Sequence, residues 1–187
     1  MDIDEIRGSC WDKAVHTYAT GHIFEDRARS LGRKTRSLEF LGLVVPVAMG
    51  GIVISFGTNF RYESITLAVA GILGTIQLIA SVWALVASWR DNYAYAHESM
   101  NSNYRLAENF EELASNPPSK PEAESKYQTL KAEDKVLRRR DQRQEITEKE
   151  KRKGMRAALR KYQRECAGCG EVPKSMSPSN CDVCGNF

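Results

Sequence analysis

Apolar residues recur along the first 31 positions at the spacing that forms one face of an α-helix. The line consists of Ile3, Ile6, Cys10, Ala14, Thr17, Gly21, Phe24, Ala28 and Leu31, and it is widened by Trp11, Val15 and Tyr18. Apolar positions that return every three or four residues lie on one side of a helix and pack against a partner. The pattern predicts a cytoplasmic amphipathic helix over residues 1–37. Cys10 on this line is predicted to be a buried small hydrophobe rather than a nucleophile.

Two long apolar runs follow, and each is long enough to cross a bilayer. The first, residues 38–57, reads "LEFLGLVVPVAMGGIVISFG" and carries one charge, Glu39, while the second begins at Ile65 and reads "ITLAVAGILGTIQLIASVWALVAS" without a charge. A helix needs about 20 apolar residues to span the hydrocarbon core. We therefore expect a transmembrane hairpin with an external loop at residues 58–64. A buried hairpin in a soluble bundle is the alternative, but core helices rarely stay free of charge over such lengths.

The helical pattern continues beyond the second run without a strong break. Its apolar positions are Tyr93, Ala96, Met100, Tyr104, Ala107, Phe110 and Leu113. We therefore predict one helix over residues 65–115, whose cytoplasmic extension packs against the N-terminal helix. The sequence Asn116-Pro117-Pro118 should end it, because proline disfavours helix at the residue before it. Residues 116–121 then form a linker.

Basic residues on the flanks of the two runs predict the orientation. Those before the first run are Arg27, Arg29, Arg33, Lys34 and Arg36, and Arg90 follows the second. The loop between the runs holds only Arg61, which Glu63 offsets. Because positive charge stays on the cytoplasmic side, both termini are expected in the cytoplasm, with the loop between the runs outside.

A third helical stretch, residues 122–165, is dominated by charge. Between positions 120 and 165 there are sixteen Lys or Arg against nine Asp or Glu, an excess of seven positive charges. This stretch is either a solvated helix beside anionic lipid head groups or a site for anions or nucleic acid. The absence of interleaved aromatic residues favours the first interpretation, so nucleic acid is not the expected partner.

Four of the five cysteines lie in the last 22 residues, 166–187. They form two C-x-x-C pairs, Cys166 with Cys169 and Cys181 with Cys184, which are eleven residues apart and each followed by glycine. Two such turns can present four thiolates to one tetrahedral ion and leave no open position, as in structural zinc sites. The following glycines suit the left-handed backbone of such turns. The spacing predicts a small zinc ribbon with Zn²⁺ as its cofactor.

Two disulfides are the alternative for this tail. The predicted topology places the cysteines in the reducing cytoplasm, where disulfides are rare. An iron–sulfur centre and a redox pair also remain open from the sequence.

Small and polar residues form a stripe along the second apolar run. Its members are Ala70, Gly74, Gln77, Ser81, Ala84 and Ser88. Such a stripe either packs membrane helices closely or lines a water-filled path between assembled copies. The chain has no Gly-rich phosphate loop and no Ser/His/Asp set, so an enzyme is not expected.

These elements make up an all-α integral membrane protein with a two-helix transmembrane hairpin, long cytoplasmic helices and a C-terminal zinc ribbon with four cysteine ligands. The opening "CWDKAVHTYATGHIFEDRAR", the runs "FLGLVVPVAMGGIVISF" and "GILGTIQLIASVWALVASW", and the spacing of the cysteine tail resemble the bacterial mobilome CxxCx(11)CxxC proteins. These proteins belong to the broader SLATT group of two-span membrane proteins.

The resemblance implies an oligomeric effector of antiphage defence that permeabilises the inner membrane when it is triggered. It also implies a cyclic or other nucleotide signal from a neighbouring nucleotidyltransferase as the trigger. The alternative function is a membrane-anchored interaction module, whose basic helix and zinc ribbon dock a partner protein or nucleic acid.

Overall fold

The computed structural model describes residues 2–56 and 63–187, and within them the chain is helical with no β-strand. The helices are α1 (Ile3–Phe56), α2 (Glu63–Val86), α3 (Trp89–Ser115), α4 (Lys120–Asp141) and α5 (Glu148–Tyr162), with a 3-10 turn at Gln142–Gln144. The all-helical class predicted from the sequence is confirmed. Most of the predicted external loop, including Arg61, lies outside the described residues.

The chain divides into two compact units. The first, here called the bundle, comprises the residues up to Arg27 together with Tyr95–Phe187, and the second, here called the hairpin, comprises Ala28–Ala94. Helices α1 and α3 contribute residues to both units, and each unit is described by itself below.

The main core of the bundle forms where α1, α3 and α4 present their apolar faces to one another. The core side chains are Ile6, Cys10 and Ala14 of α1, Leu106, Phe110, Leu113 and Ala114 of α3, and Ala123, Tyr127 and Leu137 of α4. Aromatic contacts hold α1 to α3, with ring centroids 4.9 Å apart for Tyr18 and Tyr104. The predicted pairing of the N-terminal helix with α3 is confirmed. Cys10 is fully buried, and burial raises the pKa of its thiol to about 11, so the structural role predicted for it also holds.

The sequence indicated one solvated helix over the charged stretch 122–165, but the stretch forms two helices, α4 and α5. It bends at residues 142–147 and returns as α5, so both halves bury apolar side chains against the other helices of the bundle. A capping box starts α5, since the Thr147 side chain accepts from the Glu150 N–H and the Glu150 carboxylate accepts from the Thr147 N–H. The T-x-x-E signature of this cap is visible in the sequence.

Two acidic residues that interrupt the apolar pattern of α4 are buried with partners. Asp134 accepts from the Lys13 Nζ at 2.6 Å and from the Arg138 Nε at 3.0 Å. Asp141 accepts from three neutral donors on α3, which are the Tyr95 hydroxyl at 2.8 Å, the Ser99 hydroxyl at 2.7 Å and the Asn103 amide at 2.9 Å. A buried carboxylate is tolerated only when donors satisfy it, and these bonds therefore fix the register of α4.

The predicted single helix over residues 65–115 is interrupted in the hairpin. Helix α2 ends at Val86, and Ser88 adopts a left-handed backbone with φ of 49° before α3 begins at Trp89. The Asn92 side-chain amide donates to the Ala87 carbonyl at 3.1 Å, which satisfies one of the carbonyls that the break releases. No glycine or proline marks this break, so the sequence carried no conventional signal for it. Helix α3 ends at Ser115, as the Asn-Pro-Pro sequence predicted.

Exposed apolar side chains are concentrated in the hairpin. Its described residues carry 18 of the large hydrophobic side chains that lie exposed, between Phe40 and Val86, whereas the bundle exposes only Val136 and Val183 among its described residues. Helices α1 and α2 are each long and apolar enough to cross a membrane by length and composition. The bundle therefore has the surface of a protein in water, and the hairpin does not.

Candidate metal centre

The four tail cysteines converge on one point. Their sulfur atoms all lie within 4.8 Å of one another, with 3.8 Å between the sulfurs of Cys166 and Cys181 and 3.9 Å between those of Cys169 and Cys184. A tetrahedron of sulfurs around an ion with bonds of about 2.3 Å has an edge of about 3.8 Å. The four thiols therefore fit the shell of a single tetrahedral metal ion.

Each C-x-x-C pair forms a tight turn that presents its sulfurs. In the first turn, the Gly168 N–H donates to the Cys166 sulfur at 3.4 Å and the Gly170 N–H donates to the Cys166 carbonyl at 2.8 Å. The second turn repeats this arrangement, with Val183 donating to the Cys181 sulfur at 3.4 Å and Gly185 donating to the Cys181 carbonyl at 2.9 Å. N–H groups directed at sulfur stabilise the thiolate form that a metal requires.

The two glycines after these turns have different reasons to be glycine. Gly170 has a φ of 71°, as the sequence predicted. Gly185 has no such backbone, and the left-handed residue of the second turn is Asn186, with a φ of 55°. Gly185 is instead required by space, because a Cβ there would collide with Ser179.

The centre has one buried and one open side. Cys166 and Cys184 are buried and pack in a cluster with Val15 and Ala19 of α1 and with Ala158 and Leu159 of α5, whereas Cys169 is exposed. The tail thus shares its apolar contacts with α1. A short segment that cannot form a core of its own is stabilised here both by the shared cluster and by any ion it holds.

Arg156 of α5 supports the centre, although nothing in the sequence distinguished it among the many basic residues of that helix. Its side chain is buried and donates to the carbonyl of Ser175 at 2.7 Å, the hydroxyl of Ser179 at 3.1 Å and the carbonyl of Cys184 at 3.0 Å. The same guanidinium lies 4.0 Å from the Cys184 sulfur. A positive charge there partly offsets the net negative charge of a divalent ion bound by four thiolates.

The surroundings of the thiols affect their protonation in opposite directions. The N–H groups of Cys184 and Val183 lower the pKa of Cys181 to about 7, whereas burial raises the pKa of Cys184 far above its ordinary value. Four thiolates at this spacing repel one another, so a bound cation is what makes full deprotonation favourable. A complete tetrahedral shell of four thiolates leaves no open position on the ion for water or a substrate.

The stripe predicted between Ala70 and Ser88 is only partly brought together. Gln77, Ser81, Ala84 and Ser88 line a cavity of about 530 Å³ in the hairpin, together with Gly42 of α1, whereas Ala70 and Gly74 do not line it. In the amide orientation that satisfies both of its polar atoms, Gln77 donates to the Leu41 carbonyl at 3.3 Å and accepts from the Gly42 N–H at 2.8 Å. The one amide of the stripe is thus bonded to α1 of the same chain.

These features define a class of protein. It is a helical bundle with a four-cysteine metal-binding cluster, in a chain with two helices long and apolar enough to cross a membrane. The chain belongs to the family described as Mobilome CxxCx(11)CxxC protein, which matches residues 7–187. The two C-x-x-C pairs in that description correspond to the four converging cysteines. No curated protein and no solved structure matches the chain.

Proposed function

We propose that the chain is an integral protein of the bacterial inner membrane, with the bundle and both termini in the cytoplasm. The observation that carries this proposal is the exposure of the apolar side chains between Phe40 and Val86. Side chains such as Leu78, 70% exposed, and Leu85, 80% exposed, gain about 25 cal/mol for each Å² that lipid removes from water. Water cannot accommodate such a surface on a monomer without association.

The orientation follows from the basic residues before the first span and is tested by thiol labelling. A cysteine placed at Asn59, which lies outside the described residues, should react with a membrane-impermeant thiol reagent added to intact cells. The exposed Cys169 should react only after the cells are permeabilised in a metal-chelating buffer. The opposite pattern would overturn the topology and the reducing environment of the tail together.

We further propose that the ion of the four-cysteine centre is zinc in a structural role. All four sulfurs lie within 4.8 Å of one another, which suits one ion, whereas clusters with several irons distribute their cysteines over different metal atoms. In a reducing cytoplasm, disulfides are rare and closed four-thiolate sites are typical of zinc. Elemental analysis of protein purified without chelators should find one zinc and no iron per chain.

The function that we propose is that of an oligomeric effector of antiphage defence in the SLATT group, which permeabilises the inner membrane when triggered. The resemblance that suggests this role extends over nearly the whole chain, and a nucleotide signal from a neighbouring nucleotidyltransferase is the trigger it implies. Two spans alone enclose no path, so permeabilisation requires several copies to assemble. The metal centre would hold the cytoplasmic bundle in one shape.

Membrane potential tests this function directly. Induced expression together with the trigger should depolarise cells that carry the wild-type protein. Leu78→Arg places a charge on a lipid-facing side chain of α2 and should abolish depolarisation. Gln128→Arg is the matched control, because Gln128 is also exposed but lies on α4 of the bundle. An unchanged potential in triggered cells with correctly inserted wild-type protein would contradict the effector function.

The second candidate is a membrane-anchored interaction module. It is favoured by the Gln77 amide, of which one N–H and one oxygen lone pair are bonded to Leu41 and Gly42 of the same hairpin. The hairpin would then be an anchor, and the basic helix and zinc ribbon would dock a partner. This function predicts no change of membrane potential, together with stable co-purification of a partner that is lost when the metal centre is removed.

A further inference from the structure

The connector between α4 and α5, residues 142–147, is fixed to one end of the bundle. Arg27, the last bundle residue of α1, donates to the Gln144 carbonyl at 2.7 Å and to the Glu145 carbonyl at 3.2 Å. At the other side, Tyr95 is the first bundle residue of α3 and donates to Asp141 at 2.8 Å. The connector therefore lies at the end of the bundle where both helices continue along the chain into the hairpin.

Positive charge accumulates around this connector. Residues 135–153 contain nine Lys or Arg against four Asp or Glu, an excess of five. Some of these cations are paired internally, such as Arg138 with Asp134 at 3.0 Å and Arg140 with Glu98 at 2.6 Å. Three others, Arg139, Arg143 and Lys149, are exposed and form no ion pair with another described residue. We call these three the basic surface.

Among the described residues of the bundle, the most exposed large apolar side chain lies beside this surface. Val136, 67% exposed, is one helical turn before Arg139, and both lie away from the buried face of α4 that contains Leu137 and Asp141. An apolar side chain next to exposed cations is the arrangement found on proteins that lie against head groups.

We propose that the basic surface binds the phosphate groups of anionic lipids at the cytoplasmic face of the membrane. This inference rests on the proposed topology. Arg27 and Leu38 are eleven positions apart along the chain. The potential of an anionic leaflet decays over about 8 Å at physiological ionic strength and attracts exposed Arg and Lys side chains within that range. Each such residue increases the preference for anionic lipid by about fivefold.

Nucleic acid is the less favoured occupant of the same surface. It too presents phosphate groups, but single strands are bound through aromatic side chains on which the bases stack. The described residues 135–153 include no aromatic residue. Free phosphate is a second source of the same chemistry, and it can be separated from lipid by experiment.

The test uses the full chain in nanodiscs of phosphatidylcholine alone or of phosphatidylcholine mixed with phosphatidylglycerol. Hydrogen exchange of residues 142–147 should slow in the anionic discs, and native mass spectrometry should count retained phosphatidylglycerol. The triple variant Arg139→Gln, Arg143→Gln and Lys149→Gln should weaken this lipid preference on the order of a hundredfold. The matched control removes three charges elsewhere in the bundle, with Lys126→Gln, Arg160→Gln and Lys174→Gln, and should retain the preference.

The outcomes distinguish a failure of the lipid-binding inference from a failure of the membrane topology on which it rests. Protein that fails to enter nanodiscs contradicts the membrane topology itself. Protein that inserts but shows no preference for phosphatidylglycerol, or whose control variant loses the preference equally, overturns the lipid surface alone. Equal protection by inorganic phosphate in neutral discs, or stronger protection by an oligonucleotide, would also overturn the lipid assignment. Raised salt should weaken the preference, since the attraction is screened.

Discussion

The four cysteines of the tail look alike in the sequence, but their surroundings in the structure differ. Cys184 is buried, and its carbonyl accepts a bond from Arg156, so it links the centre to α5. Cys169, by contrast, is exposed. The spacing of the cysteines was enough to predict that all four would converge. Arg156 could not be predicted, because its distinction from Arg152 or Arg160 arises only from the face of α5 that meets the tail.

Replacing Cys169 by serine tests the centre with little disturbance of packing, because the side chain is exposed. Cys169→Ser should lose the bound metal and increase hydrogen exchange across residues 166–187, since the ion and the tail stabilise each other. Cys10→Ala is the control, because Cys10 is the buried fifth cysteine and should keep a full equivalent of metal. Elemental analysis of both variants decides the matter, and full metal content in Cys169→Ser would exclude a four-thiolate site.

The ion pair between Glu150 and Arg27 allows a prediction of how the stability of the connector depends on pH. The Arg27 guanidinium, 2.6 Å away, holds the pKa of the Glu150 carboxyl at about 2, below its ordinary value of 4.5. A depressed pKa means that the charged form stabilises the fold above pH 4.5, and that this contribution is lost as the pH falls towards about 2.

Thermal unfolding of Glu150→Gln should therefore differ most from wild type near neutral pH, and the difference should shrink through that acidic window. Glu148→Gln is the control, because Glu148 is exposed and pairs with Lys151 of its own helix. If the difference in thermal stability between wild type and Glu150→Gln did not change with pH, the charge of the carboxylate would not be what stabilises the connector.

At the scale of the elements, apolar periodicity predicted which face of a helix is buried better than it predicted where the helix ends. Most of the line predicted for α1 is buried, as are Ala96, Ala107, Phe110 and Leu113 of the line predicted for α3, since burial follows from helical spacing. Met100 and Tyr104 are only half-buried, and the buried Leu106 was not predicted. The turn between α4 and α5 was not predicted, although the capping box at Thr147 was present in the sequence, because the charge of the stretch obscured its apolar face. The break at Ser88 had no signal, since a left-handed serine depends on its tertiary surroundings.

The packing of α5 on α1 can be tested with two glycines. A Cβ on Gly154 would lie 2.5 Å from the Ala19 carbonyl oxygen and 2.8 Å from Ile23, whereas a Cβ on Gly8 would meet nothing within 4 Å. Gly8→Ala should raise the free energy of unfolding by about 1 kcal/mol, from helix propensity alone. Gly154→Ala should lower it by about 1–3 kcal/mol, because overpacking outweighs the same gain in propensity.

Denaturant unfolding of the two variants measures these changes under identical conditions. Stabilisation by both substitutions would mean that α5 does not lie against α1 at this point. Metal content should fall with Gly154→Ala and not with Gly8→Ala, because the tail packs in the same cluster as Ala19.

At the scale of the whole molecule, one helix connects the metal centre and the first apolar span by chain continuity. Helix α1 runs from Ile3 to Phe56 without interruption, and Val15 and Ala19 in its first half pack in the cluster of the buried cysteines. The sequence predicted a helix at 1–37 and a span at 38–57 as separate segments, because their compositions differ sharply. Under the proposed function, the continuous backbone of α1 is the route by which a trigger received in the cytoplasm would reach the membrane.

The last prediction concerns Gln77, whose amide is bonded to the Leu41 carbonyl and the Gly42 N–H. Gln77→Leu removes both bonds but keeps a similar volume, so the variant should insert and assemble while its thermal stability in detergent falls by an amount equivalent to about 1 kcal/mol. Because the amide is bonded to α1 of the same chain, triggered cells should still depolarise. Thr75→Val is the control, since the Thr75 hydroxyl donates to the Gly71 carbonyl of its own helix. A Gln77→Leu protein that assembles normally but no longer depolarises cells would instead place this amide on the path of the ions.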